Sequence, residues 1–390
     1  MIGERAMRTS SKNLHSSPWR LSLALLLALH VLSSCGPTSS SEPLVTDVEH
    51  TSVKKQTIGN CWLYTAAGWA ESLHLSATGQ AANLSESWWT WWYWHDQLIN
   101  PEFKDLAVGG LWETSAKIIL ERGWLLESDF APEEEQLEAS ERQIVAELRI
   151  RADLDEGGAL HSPESRTPEN VTRALNAAFE VKIAHLKTLA RPASEFVVGR
   201  RGGEELSLVH ALDQSKNTAW RQIEWPHVKG EHTRISNRVK KQRIELSRRV
   251  MRALNDRKPV VMTMMIDMNA YDISDETFKL ERARNLGPGI QSAHMVVLED
   301  YVVDNVPGLG RIGEGDMPPE IKAKAVLGDL VYLKAKNSWG TNRPDRGVTD
   351  GYTRFSMDYL NAQLPWRAVT DPDTFLWYTS LADVVLPPGY

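Results

Sequence analysis

Cysteine is almost absent: the 390 residues hold only Cys35 and Cys61. No C-x-x-C pair exists, so a cysteine-built zinc site or a dithiol redox centre has no ligands to work with. A disulfide framework is excluded if each cysteine has its own task. Excess positive charge is missing too. Lys and Arg number 44 against 51 Asp and Glu, a formal charge of −7. That leaves no electrostatic footprint for nucleic acid and gives anionic lipid nothing to attract. No apolar run reaches the roughly 20 residues of a spanning helix. What is present is ordinary globular material. The hydrophobic share of 42% and charged share of 24% suit a chain that buries a sizeable core.

The N-terminus reads as an address. Arg5, Arg8, Lys12 and Arg20 precede an apolar stretch of about a dozen residues, 21–32, the pattern of a secretory signal. Residues 1–34 carry four basic residues and one acidic, so the rest of the chain stands at −10. Leu32-Ser33-Ser34-Cys35 resembles the bacterial lipobox. The resemblance implies that Cys35 is lipidated and becomes the first mature residue, and several acyl chains suffice for stable anchoring. Gly36 follows rather than Asp, which implies no inner-membrane retention, so the outer membrane is the expected site. Residues 36–41 are a Gly/Pro/Ser-rich tether. An uncleaved anchor or a plain signal peptide are the alternatives.

Cys61 follows Gly59-Asn60, a breaker and a residue suited to a helix N-cap. Trp62, Leu63, Ala66, Ala67, Ala70 and Leu73 then recur at helical spacing, with Gly79 as a stop. The thiol therefore stands at a helix N-terminus, where partial positive charge and unpaired N–H groups favour a thiolate and face a developing oxyanion. His294 begins an apolar, β-branched run after Gly287-Pro288-Gly289. A neutral imidazole there suits a general base. Residues 330–336 form another such run, ending in the turn Asn337-Ser338-Trp339-Gly340. Taken singly, each has a plain structural reading: a buried small residue, a strand histidine, an ordinary turn.

Their order, Cys then His then Asn, resembles the papain family of cysteine peptidases. The resemblance implies Cys61 as nucleophile, His294 as its base and Asn337 as the residue that orients the ring. It implies an oxyanion role for Gln56, although Gln56 lies five residues before Cys61, one fewer than usual in the family. It gives Trp339 the task of covering the His–Asn bond at the edge of the substrate site. Gly109 and Gly110 resemble the Gly-Gly segment whose bare backbone pairs with substrate. Residues 84–98, with five of the 15 tryptophans, resemble the bleomycin hydrolase and aminopeptidase C branch. Packing against the central helix and a sugar-binding surface are the two readings of those tryptophans.

The expected fold is α+β and papain-like. A helical subdomain and an antiparallel β-rich subdomain flank a cleft, with a large helical insertion. The divisions are residues 1–34 signal peptide, 35–52 lipidated tether, 53–130 helical subdomain with Cys61, 131–249 insertion, and 250–390 β subdomain with His294 and Asn337. The expected function is peptide-bond hydrolysis through an acyl-enzyme thioester, on a peptide or protein substrate. No metal and no cofactor is implied, and no nucleic-acid partner; the only membrane contact is the N-terminal lipid. A non-catalytic binding protein or an acyl transferase on the same scaffold are the rivals. Oligomeric state is not legible.

Overall fold

The computed structural model describes residues 48–130, 138–228, 234–341, 350–367 and 374–390. The signal-like segment, Cys35 and most of the tether lie outside these. In chain order the helices are α1 (Cys61–Thr78), α2 (Glu86–Leu98), α3 (Trp112–Arg122), α4 (Glu127–Phe130), α5 (Glu138–Leu154), α6 (Pro168–Phe179), α7 (Ile183–Leu189), α8 (Leu208–Leu212), α9 (Asn237–Asn255), α10 (Leu280–Leu286), α11 (Pro319–Ala325) and α12 (Met357–Asn361). The strands are β1 (Val197–Arg201), β2 (Glu204–Ser207), β3 (Arg221–Glu224), β4 (Val260–Asp267), β5 (Tyr271–Asp272), β6 (Thr277–Phe278), β7 (Gln291–Val306), β8 (Gly310–Ile312), β9 (Asp329–Lys336), β10 (Tyr352–Ser356), β11 (Gln363–Arg367), β12 (Phe375–Thr379) and β13 (Leu381–Leu386).

The class is α+β, a helical region against one large mixed sheet. That sheet runs β3-β13-β4-β7-β9-β10-β6-β5, with β8 added to β7. Its pairs are antiparallel except β10 with β6. Alternation along β7 explains the two cores. Met295 and Val297 pack with Trp62, Leu63 and Trp69 of the helical side, whereas Val296 and Leu298 pack with Val250, Met251 and Leu254 of α9 on the other.

The tryptophan row is interior. Trp88, Trp89, Trp91 and Trp94 are buried in α2, and Trp92 nearly so. Packing is thus the reading that holds for them, and the sugar surface is set aside. The residues between α4 and α9 contain helices α5 to α8 but also strands, and β3 joins the main sheet beside β13. The final residues leave the sheet at its far end. Val385 lies opposite Val261 while His294 lies opposite Met264, so the chain moves away from the histidine as it ends. Arg249 donates to the Tyr390 carbonyl, and the Tyr390 hydroxyl donates to Asp256.

Candidate active site

Helix α1 begins at Cys61 and closes on Gly79, whose φ of 71° and N–H bond to Leu75 make the left-handed cap. No acidic residue stands in its first turn, so nothing cancels the positive end of the dipole. Asn60 occupies the cap position without capping by its side chain. Its amide instead donates to Thr90 Oγ1 at 3.1 Å and Gln143 Oε1 at 2.9 Å. The sequence is right about where the helix starts and wrong about what fixes the start: α2 and α5 hold it.

Thr65, one turn on, donates to the Met295 carbonyl at 2.8 Å and so pins α1 to β7. Burial pushes the Cys61 thiol up to about 11, opposed by the backbone N–H groups of Met295, Trp62 and Cys61 itself. The sulfur therefore lies against the residue next to His294. Left with neutral neighbours, such a thiol stays protonated at neutral pH; a cation beside it is what would ionise it.

His294 is buried, and its Nε2 is 2.9 Å from Asn337 Oδ1. The Asn337 oxygen also accepts from the Ser338 N–H at 2.8 Å, and its amide nitrogen donates to Thr353 Oγ1 at 3.0 Å. Those two bonds fix which way the amide faces, so its oxygen is presented to the ring. The imidazole then carries its proton on Nε2, and exchange with a nucleophile runs through Nδ1. Trp339 stacks on the ring, centroids 5.3 Å apart and planes 24° from parallel. Tyr271 meets Trp339 edge-on at 5.9 Å, closing the far side.

Gln56 is locked to the same turn. Its N–H donates to the Ser338 carbonyl at 2.8 Å, its Oε1 accepts from the Ser338 hydroxyl, and its Nε2 donates to the Ile58 carbonyl at 2.9 Å. One Nε2 proton is thereby spent inside the loop.

Gly110 has a packing reason to be glycine. A Cβ there would fall 2.5 Å from the Trp62 indole. Trp62 Nε1 donates to the Val108 carbonyl at 3.0 Å, and the Tyr93 hydroxyl donates to the Gly109 carbonyl at 2.6 Å. Gly109 itself has open space where a side chain would be. The pair therefore forms a strap over the start of α1, its carbonyl orientation set by Tyr93.

One set of residues was not anticipated from sequence. Lys54 Nζ lies 3.0 Å from Glu71, 2.9 Å from Glu86 and 3.7 Å from Glu127, and donates to the Leu84 carbonyl at 2.7 Å. Burial works against its charge, but the three carboxylates outweigh it and hold Lys54 protonated. Burial also pushes Glu86 up to about 8 and pulls Lys336 down to about 8. Lys336 donates to Thr51 Oγ1 at 2.9 Å. A cavity of about 20 Å³, room for one water, separates these groups from Asn337. The only sequence signal was a Glu in each of two otherwise buried helices.

No protein-family model and no curated protein matches the chain. Among solved structures it is similar to one from work on the mite allergens Blo t 1 and Der p 1, at 15% identity and a TM-score of 0.34, over 89% of this chain and 73% of that one. It is similar to a cysteine protease of Carica candamarcensis in complex with E-64, at 16% and 0.32, over 86% and 92%. A digestive procathepsin L 3 of Tenebrio molitor larval midgut gives 13% and 0.33, over 90% and 71%. Overlaps this loose leave the site to be judged on its own geometry.

Proposed function

We propose that the chain is a papain-like cysteine peptidase in which Cys61, His294 and Asn337 act as a triad. The observation that carries this is the 2.9 Å His294–Asn337 bond beneath the Trp339 ring, with Cys61 opening the helix that Thr65 ties to the strand of His294. In this reading His294 takes the Cys61 proton on Nδ1. The imidazolium so formed offsets the burial that otherwise keeps the thiol protonated. The thiolate attacks a peptide carbonyl, and the α1 N-terminus together with the remaining Gln56 amide proton faces the oxyanion. His294 returns its proton to the leaving amine, and water cleaves the thioester. Gly109 and Gly110 offer bare backbone for pairing with substrate.

The likeness of residues 84–98 to the bleomycin hydrolase branch is extended here to the packing around α2 alone. That branch uses its tail to restrict cleavage to N-terminal residues. Here Tyr390 is held against Arg249 and Asp256, near the C-terminal end of α9. Export and outer-membrane anchoring through Cys35 complete the proposal, and mass spectrometry of the membrane fraction tests them by the mass of the Cys35 peptide.

For the chemistry, the full chain is incubated with denatured casein, and Cys61 is followed by mass during turnover. Release of acid-soluble peptides with a transient acyl adduct on Cys61 is the expected result. A folded protein that releases none, with a thiol no faster toward iodoacetamide than a free one, defeats the proposal. Added amine that is incorporated in place of water would turn it into a transferase.

A further inference from the structure

A second cavity lies toward the other end of α1. Its volume is about 440 Å³, within the roughly 300–1,000 Å³ of small-molecule sites. Helix α1 supplies Leu73 from its fourth turn, about 18 Å along the axis from Cys61 at ~1.5 Å per residue. Most of the remaining wall comes from the β1–β2 hairpin, α8 and the segment that follows β13. The hairpin and α8 belong to the 131–249 stretch, on which the family resemblance is silent.

The cavity has an apolar floor. Leu73, Val198, Ala211 and Trp220 are all buried. Trp220 is fixed edge-on against Trp69 of α1, with centroids 5.2 Å apart. Pro387 and Pro388 add a stiff side that lacks backbone N–H groups. The bonds of Tyr390 to Arg249 and Asp256 anchor that side.

The rim is cationic. Arg200 and Arg201 are exposed and Lys258 is half-buried. Arg200 is paired with Glu205 at 3.3 Å. Arg201 and Lys258 form no ion pair among the described residues. No Asp or Glu stands among the described residues that line the cavity, in a chain whose formal charge is −7. His210 lines it as well. Its Nδ1 accepts the Ser207 N–H at 3.1 Å, which leaves Nε2 to carry the ring proton. Two unpaired cations above a buried apolar floor make two demands together: countercharge at the rim and hydrocarbon below it.

We propose that this cavity binds a small organic anion with an apolar body. Arg201 and Lys258 hold a phosphate or carboxylate head, and Trp220 and Pro387 cover a chain or ring. The layering selects a dissolved ligand over a lipid in a bilayer. A bilayer presents its charged heads first, and Leu73, Val198, Ala211 and Trp220 offer such a head no partner. The assignment is independent of the chemistry proposed for Cys61.

Titration calorimetry on the full chain tests it, with octyl phosphate, octanol, octylammonium and inorganic phosphate as probes. Octyl phosphate should bind one to one, and each of the other three at least about tenfold more weakly. Replacing both cations, Arg201→Glu with Lys258→Glu, should weaken octyl phosphate by about tenfold or more while the urea midpoint stays near the parent's. Should that variant not fold, Arg201→Gln at its exposed position is read instead, with a smaller loss expected. Octanol or inorganic phosphate binding as tightly as octyl phosphate overturns the site. So does the absence of saturable binding, or an affinity that the folded variant leaves unchanged.

Discussion

Two polar groups flank the first turns of α1 and differ in how they are satisfied. Behind Asn337, Lys54 meets three carboxylates and a carbonyl, and Glu71 in turn accepts from Thr51, Lys54 and the Leu84 N–H. At the front, Cys61 is a thiol that burial pushes to about 11, and the His294 imidazole is bonded to Asn337. The rear group is closed. It joins the arm at Thr51 and Lys54 to α1, α2 and, through Lys336, to β9. The front group has chemistry to spare because its charge balance depends on one proton. On the proposed function, the rear group serves stability and the front group serves reaction. Closed networks rigidify a fold even where their members titrate far from the usual range; a buried thiol with no cation bonded to it is the group whose charge a neighbour can switch.

That contrast can be broken experimentally. The largest effect is expected for Cys61→Ala. Peptide hydrolysis should drop by about 10⁴-fold or more, measured with a fluorogenic peptide, while the midpoint of urea unfolding stays close to the parent's. Asn337→Ala comes next. Losing the group that aims the ring should lower kcat by roughly 10²-fold, as misplacement by an ångström does, with a smaller change in KM. Lys54→Met should do the reverse. It leaves Glu71, Glu86 and Glu127 buried without their cation, at a cost of about 3–5 kcal/mol, read as a lowered urea midpoint. If Lys54→Met left stability unchanged, or Cys61→Ala destabilised as much, the division of labour would be wrong. Smallest is Gly110→Ala. Its Cβ meets the Trp62 indole, and overpacking of this kind costs about 1–3 kcal/mol; a shift in thermal midpoint with a rise in KM is expected.

The places of Cys61, His294 and Asn337 on their elements were legible because each is announced locally. A breaker and an apolar helix period mark Cys61, a Gly/Pro turn and β-branched run mark His294, and a strand ending in Asn-Ser-Trp-Gly marks Asn337. The rear network was not, because nothing near Lys54 in the chain says that Glu71, Glu86 and Glu127 will surround it. Its geometry depends on how α1, α2 and α4 pack. Asn60 misled for a related reason: cap propensity is a local preference, and Thr90 and Gln143 offered its amide better partners. The α+β class came with the resemblance carried by Cys61, His294 and Asn337. The place of β3 and β13 inside the main sheet did not, since β13's neighbours lie more than a hundred residues upstream.

The central claim is that His294 supplies the charge that ionises Cys61. Alkylation by iodoacetamide, followed against pH in the parent chain and in His294→Ala, addresses it directly. A thiol whose value is raised is protonated below that value, so in His294→Ala the rate should climb about tenfold per pH unit toward about 11. In the parent, an imidazolium–thiolate pair should make the rate high and nearly level from mildly acidic to neutral pH. A parent chain whose rate climbs along the same line as the variant's would contradict the account.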